Sequence, residues 1–166
     1  MRVLNVHQRS LRASPAQAAY LLDGLSSPTD PLWPSEAWPR IRFDRPLQPG
    51  ARGGHGPVRY AVVTYELGQR VSFQFTAPEG FIGQHWFEVL PQGESGTVLR
   101  HTIDMKLTGI ALLSWPLVFR PLHDALVEDA LTKAQVALGE QPTRVRWSAW
   151  VRLLRGLLTH RGGRAK

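Results

Sequence analysis

The stretch from Val58 to Leu107 constrains the fold more than any other part of the chain. Four apolar-rich segments follow one another: 58–67 (VRYAVVTYEL), 70–77 (RVSFQFTA), 83–90 (GQHWFEVL) and 97–107 (TVLRHTIDMKL). Each reads as a strand bounded by turn residues. Connections this short allow only antiparallel neighbours, because a parallel crossover needs a dozen or more residues. Gly68-Gln69 reads as a two-residue hairpin turn with glycine first. Pro78 to Gly80 and Pro91 to Gly96 are longer turns. A long helical stretch follows at residues 110–138. Its apolar residues Leu122, Leu126, Val127, Ala130, Ala134, Ala137 and Leu138 recur at helical spacing, and Gly139 closes it. Pro116 and Pro121 kink its first third or wind it separately.

The N-terminal part adds a strand at 2–11 and a short helix. Ser14-Pro15 starts that helix with a serine cap and a proline at the first helical position, and Gly24 ends it. Residues 26–39 (SSPTDPLWPSEAWP) hold four prolines and two tryptophans and read as a loop or a broken short helix whose tryptophans plug an apolar end of the core. Residues 40–45 form a short strand. GARGGHGP at 50–57 lacks a Walker lysine and does not open a helix, so it reads as a plain loop. The predicted class is α+β: a curved antiparallel sheet wrapped around a long C-terminal helix, with a hydrophobic cavity between them. That is the helix-grip arrangement. It spans residues 1–139, and 140–166 form a basic amphipathic tail.

Composition excludes several chemistries. The chain has no cysteine, which removes disulfides, thiolate zinc sites, iron–sulfur clusters and a cysteine nucleophile. There is no G-x-S-x-G. No apolar run is long enough for a membrane-spanning helix. The start, MRVLNVHQRSLRAS, lacks the apolar run of a signal peptide, so the expected location is the cytoplasm, with membrane association through the tail. The net charge of +7 sits in that tail: Arg144, Arg146, Arg152, Arg155, Arg161, Arg164 and Lys166, with no acid among residues 144–166. The rest of the chain balances its bases and acids, which removes support for a nucleic-acid footprint on the body.

The order of strand, helix, antiparallel sheet and long helix resembles the START-like superfamily, also called SRPBCC or polyketide cyclase/dehydrase-like. The major pollen allergens share this fold. More narrowly, DPLWP at 30–34, WP at 38–39, GARGGHGPVRY at 50–60 and WPLVFRPLHDAL at 115–126 are similar to a bacterial branch of it. The resemblance covers residues 2–138. It implies a hydrophobic pocket for lipids, polyketides, sterols or other apolar molecules. It brings no shared catalytic residue set, and none is carried over.

Strand alternation decides which side chains face the helix. The inward sets are Val71, Phe73 and Phe75; His85, Phe87 and Val89; and Leu99, His101, Ile103, Met105 and Leu107. If the hairpins centre on the Gly68-Gln69 turn, Gly80 and Gly93, one row across the face reads Val62, Phe75, His85, His101. Tyr60 and Thr64 belong to the same face. The expected ligand-binding set is Tyr60, Val62, Phe73, Phe75, His85, Phe87, His101, Ile103 and Trp115. Buried imidazoles are neutral and can both donate and accept, so His85 and His101 are the candidates for a general base. The alternative is that they satisfy each other, Tyr60 or water. No metal and no cofactor is expected: Glu88 and Asp104 have the opposite parity from the histidines. His55 reads as a residue of the cavity mouth. His123 and Asp124, adjacent on a helix, do not read as a dyad.

In the tail, Trp147, Trp150, Val151, Leu154, Leu157 and Leu158 fall on one helical face, with Arg144, Arg152 and Arg155 opposite or flanking. The expected membrane or partner contacts are Trp147, Trp150, Arg152, Leu154, Arg155 and Leu158. The same face suits packing on the domain or on a second subunit of a homodimer. Three functions are expected in order: a binder of a hydrophobic lipid- or polyketide-like molecule, a cyclase- or dehydratase-like enzyme, and an interaction module acting through its tail.

Overall fold

A computed structural model describes residues 1–93 and 96–162, with side chains as far as Leu158. The expectations for Arg164, Lys166, the Arg161 side chain and the middle of the Pro91–Gly96 turn lie outside the described residues. The strands are β1 (Arg2–Leu11), β2 (Arg42–Phe43), β3 (Arg52–His55), β4 (Val58–Glu66), β5 (Arg70–Ala77), β6 (Phe81–Gln92) and β7 (Gly96–Leu107). The helices are α1 (Pro15–Asp23), α2 (Ala111–Ser114), α3 (Arg120–Ala137) and α4 (Ala149–Gly162). A π-helical turn, Trp115–Phe119, joins α2 to α3. All seven strands form one antiparallel sheet in the order β1-β7-β6-β5-β4-β3-β2.

Local chemistry explains the boundaries. Ser14 and Gln17 form a reciprocal capping box at the start of α1, with Pro15 inside it. Gly24 ends α1 in a right-handed conformation, so it is not there for a left-handed cap. A Cβ on it would lie 2.6 Å from Cδ of Pro31. Pro116 has no N–H to give, and the chain accommodates it by widening: the Arg120 N–H reaches back five residues to the Trp115 carbonyl.

The loop expected at 50–57 is instead a strand. Arg52–His55 pairs with both β2 and β4. A Cβ at Gly53 would stand 1.9 Å from the Arg42 carbonyl oxygen, and one at Gly54 2.0 Å from that of Val58. The glycines serve close backbone approach between strands.

The hairpin registers differ from expectation by two residues in each case. The β4–β5 turn has three residues, because Glu66 and Arg70 make the last pair. A bulge at Val63 adds one more step. Val62 therefore lies opposite Phe73, and His85 lies opposite Phe73 and Ile103 rather than Phe75 and His101. A shift of two preserves which face a side chain occupies, where a shift of one reverses it. Thr64 is the exception. The bulge turns it outward, where its hydroxyl meets Ser72 Oγ at 2.6 Å.

The interior splits into two apolar clusters. One gathers α1, the 32–41 loop, β4, β5, β6, β7 and α3 around Leu21, Leu22, Trp33, Tyr60, Phe73, Phe87, Leu99 and Leu131. The other gathers Phe75, Phe81, Ile103, Met105, Leu107 and Trp115. Asp30 holds the proline-rich loop in place by accepting from the backbone N–H groups of Ser26, Leu32 and Trp33. Trp38 and Trp147 both donate to Oδ2 of Asp129 on α3, at 2.7 and 2.9 Å. No described helix is long and apolar enough to cross a membrane.

Candidate functional site

All nine expected ligand-facing residues are buried. The structure brings six of them, Tyr60, Phe73, Phe75, His85, Phe87 and His101, into one aromatic and imidazole cluster on the face of the sheet beneath α3. His85 stacks on Phe73 and Phe75, with ring centroids 4.8 and 4.7 Å away, and meets the edge of Tyr60 at 4.7 Å. Phe87 packs against His101 at 4.5 Å. Val62 and Ile103 flank Phe73 and His85 in register. Trp115 stands in the second apolar cluster together with Phe75 and Ile103, its ring 5.7 Å from Phe81 and 6.0 Å from His123. The two imidazoles thus sit where the apolar clusters meet.

The pairing expected between His85 and His101 is diagonal rather than direct, yet the rings still touch. His101 Nε2 lies 3.4 Å from His85 Nδ1. Burial pushes both imidazoles well below the ordinary histidine range, so both are neutral near pH 7. One of the two must donate across that contact. Whichever does, the outer nitrogens, His85 Nε2 and His101 Nδ1, offer one N–H and one lone pair. Neither has a hydrogen-bond partner, and nor does the buried Tyr60 hydroxyl. Burial also raises the Tyr60 pKa far above the phenol range, so it stays protonated. An unpaired buried polar group costs roughly 1–3 kcal/mol. Three such atoms in one contact cluster make a polar spot in an otherwise apolar interior.

Sequence reasoning missed how far this strip extends. His55, whose pKa burial pushes down to about 3, joins at one end, with its ring 6.0 Å from Tyr60 and 4.7 Å from Trp33. His123 joins at the other, 5.0 Å from His101. The signal for His123 was present: it lies three and four residues before Leu126 and Val127, on the apolar stripe of α3. His123 and Asp124, although adjacent on the helix, are in contact. His123 Nδ1 lies 3.4 Å from Asp124 Oδ1, while its buried Nε2 has no partner. Burial lowers the His123 pKa, against the pull of Asp124.

Next to His123 stands a network between β1 and α3. His7 Nε2 meets Asp124 Oδ1 at 3.1 Å, and His7 Nδ1 meets Glu128 Oε1 at 2.8 Å. Arg9 donates to the other Glu128 oxygen at 2.6 Å. The Asp124 hydrogen bond raises the His7 pKa; burial opposes it and Glu128 adds to it. Burial pushes Asp124 upward, but its bonds from His123 and His7 outweigh that and hold the carboxyl well below the usual range.

Two surface depressions of about 550 and 540 Å³ lie elsewhere, one between the 26–42 loop and Lys133, the other on the outer face beside Trp86 and Asp104. Neither is the hydrophobic cavity expected between sheet and helix, where the rings pack on one another.

The tail stripe is divided by packing. Val151 and Leu154 are buried on the domain, and Trp147 is half-buried there. Arg155 is partly buried; its guanidinium lies 4.5 Å over Trp38 and bonds the Ala37 carbonyl. Trp150, Leu157 and Leu158 remain exposed, as do Arg152 and Leu153, which was not assigned to the stripe.

No protein-family profile matches the chain, and no curated protein matches it by sequence. Solved structures do. Norcoclaurine synthase from Thalictrum flavum superposes with a TM-score of 0.62 at 15% identity, covering 85% of this chain and 96% of the synthase chain. A Thermobifida fusca protein solved in solution gives 0.61 at 14% identity, over 86% of this chain and 99% of its own. CalU16 from Micromonospora echinospora gives 0.57 at 11%, over 97% and 94%. Likeness at such low identity speaks for architecture alone, and the shared architecture is the helix-grip fold, a curved antiparallel sheet wrapped around a long C-terminal helix.

Proposed function

We propose that the protein binds a hydrophobic small molecule, lipid- or polyketide-like, that carries a hydroxyl or carbonyl group. The observation that carries this reading is the set of unpartnered buried atoms on Tyr60, His85 and His101, ringed by Phe73, Phe75, Phe87 and Ile103. The apolar rings supply transfer energy, and the neutral imidazole pair accepts from or donates to the polar group. The ligand displaces some ring–ring contacts and satisfies polar atoms that the protein leaves open. Native mass spectrometry of the purified protein, followed by denaturing extraction, tests whether such a molecule is retained. Titration with naphthalene and 2-naphthol tests the polar spot. The hydroxylated probe is expected to bind at least tenfold more tightly, about 1.4 kcal/mol. His85→Phe and His101→Phe should erase that difference. Equal affinities in the wild type, or no binding of either probe, would overturn the reading.

The neutral state of His85 and His101 favours a second reading, a cyclase- or dehydratase-like enzyme in which one of them takes a proton from an enolisable carbonyl compound. Peripheral membrane contact is a separate proposal. It rests on the exposed Trp150, Leu153, Leu157 and Leu158 beside the tail arginines, and flotation with anionic vesicles that survives Leu153→Glu with Leu157→Glu would refute it.

A further inference from the structure

We propose that His7, His123 and Asp124 form a binding site for a divalent transition-metal ion of the zinc class. The three come from two elements, β1 and α3, and each offers one ligand atom, with all three atoms within 4.8 Å of one another. Two of the separations are 3.1 Å (His7 Nε2 to Asp124 Oδ1) and 3.4 Å (His123 Nδ1 to Asp124 Oδ1). Zinc–nitrogen and zinc–oxygen bonds of about 2.0–2.2 Å place tetrahedral ligand atoms roughly 3.3–3.5 Å apart. Two edges of the polyhedron are therefore close to formed, and the third, between the two imidazole nitrogens, lies within 4.8 Å. Two imidazoles and one carboxylate are a borderline donor set, suited to zinc, cobalt, nickel or ferrous iron rather than to calcium or magnesium.

The surroundings add what bare ligand triads lack. His7 Nδ1 bonds Glu128 Oε1 at 2.8 Å, which leaves Nε2 as the atom for the metal. This is the carboxylate–histidine–metal arrangement that fixes the tautomer and strengthens the ligand. Arg9 holds Glu128 from behind at 2.6 Å. Asn5 Nδ2 donates to Asp124 Oδ1 at 3.0 Å, and Arg120 approaches the other Asp124 oxygen at 3.6 Å. Asn5 Oδ1 is buried without a partner, so the site has an unused polar atom beside the shared carboxylate oxygen. Binding is a substitution. The ion takes the place of the proton between His7 Nε2 and Asp124 Oδ1 and of the His123 bond to that same oxygen. The displaced proton leaves to solvent. Three protein ligands leave a fourth position for water or a ligand oxygen. The site adjoins the imidazole strip, since the His123 and His101 rings are 5.0 Å apart.

The test uses the full chain stripped with a chelator and titrated with Co²⁺. The expected result is a saturable visible ligand-field band at one ion per chain, bleached by one equivalent of Zn²⁺. His7→Gln, His123→Gln and Asp124→Asn should each lose the band, whereas His55→Gln should keep it. Because a ligand variant can fail to fold, a second measurement uses the wild type: in ¹⁵N-histidine spectra, Co²⁺ should broaden His7 and His123 before His55. No band in the wild type, a band retained in Asp124→Asn, or broadening that begins at His55 would each overturn the proposal. Neither readout involves an organic ligand, so failure here leaves the small-molecule reading untouched, and failure of that reading leaves this one standing.

Discussion

The buried imidazoles make a quantitative demand on stability at mildly acidic pH. His55, His85 and His101 are held neutral by burial, with His55 pushed down to about 3 and the other two well below the ordinary range. In the unfolded chain each titrates near 6.5. Above that pH all three are neutral in both states and contribute nothing to the pH dependence. Below it the unfolded chain takes up protons that the folded protein refuses, so stability falls as the pH falls. One unit below 6.5, at pH 5.5, each histidine costs about 1.4 kcal/mol, or about 4 kcal/mol for the three, and the slope approaches about 4 kcal/mol per pH unit. His123, also lowered by burial, adds to this. His7 opposes it. Its raised pKa contributes stability that is fully present below 6.5 and lost as the pH rises through its folded value. Asp124 does not interfere, because a depressed carboxylate loses its contribution only as the pH falls below about 4.

A domain of this size has a total stability of roughly 5–15 kcal/mol, so the effect is large enough to measure. Urea unfolding at half-unit steps from pH 7.5 to 5 yields the proton uptake directly from the slope of the free energy. His101→Phe, which keeps a ring and removes one titrating group, should lower the slope near pH 5.5 by one proton, about 1.4 kcal/mol per unit. A wild-type slope of one proton or fewer would refute the reasoning: it would mean that the strip is hydrated and the histidines protonate in place.

Two further outcomes follow from the packing. Gly53→Ala places a methyl 1.9 Å from the Arg42 carbonyl oxygen, so it should detach β2 and cost about 1–3 kcal/mol in urea unfolding; an unchanged midpoint would refute the strand assignment of Arg52–His55. Asp129→Ala strands the indole N–H groups of Trp38 and Trp147, so it should cost about 2–5 kcal/mol and speed amide exchange in α4 before the sheet.

The sheet and the long helix were legible because both obey simple periods. The meander alternates with period two, and α3 repeats its apolar residues at helical spacing. Hairpin registers were less legible, since one extra turn residue and one bulge at Val63 shift pairings without leaving a mark in the apolar pattern. The shifts came in twos, so the expected residues still share a face, and only Thr64 turned out. Arg52–His55 was hidden because glycines signal a loop as readily as close strand contact. The β1–α3 network was the least legible. His7 stands opposite His101 through a pairing between the first and the last strand, and nothing local fixes that register. Asp124 was discounted by its adjacency to His123, yet a carboxylate needs only a modest rotation to reach the ring beside it.

Tyr60, His85 and His101 supply the polar spot, His7, His123 and Asp124 supply the proposed metal site, and the two differ in kind. At the β1–α3 end, the Asp124 hydrogen bond raises His7 and the same carboxylate touches His123, so this end holds a negative group that a cation can share with the two rings. In the middle, His85 and His101 have no carboxylate partner and stay neutral, so they recognise neutral hydrogen-bonding groups rather than charged ones. A ligand with an ionised headgroup would have to desolvate it beside two rings that resist protonation. An uncharged ketone, phenol or alcohol meets no such cost. If the retained molecule were a fatty acid with its carboxylate at His85, the neutral-pair argument would fail. If it were a neutral polyketide or sterol-like compound, the pair's one open donor and one open acceptor would account for its selection.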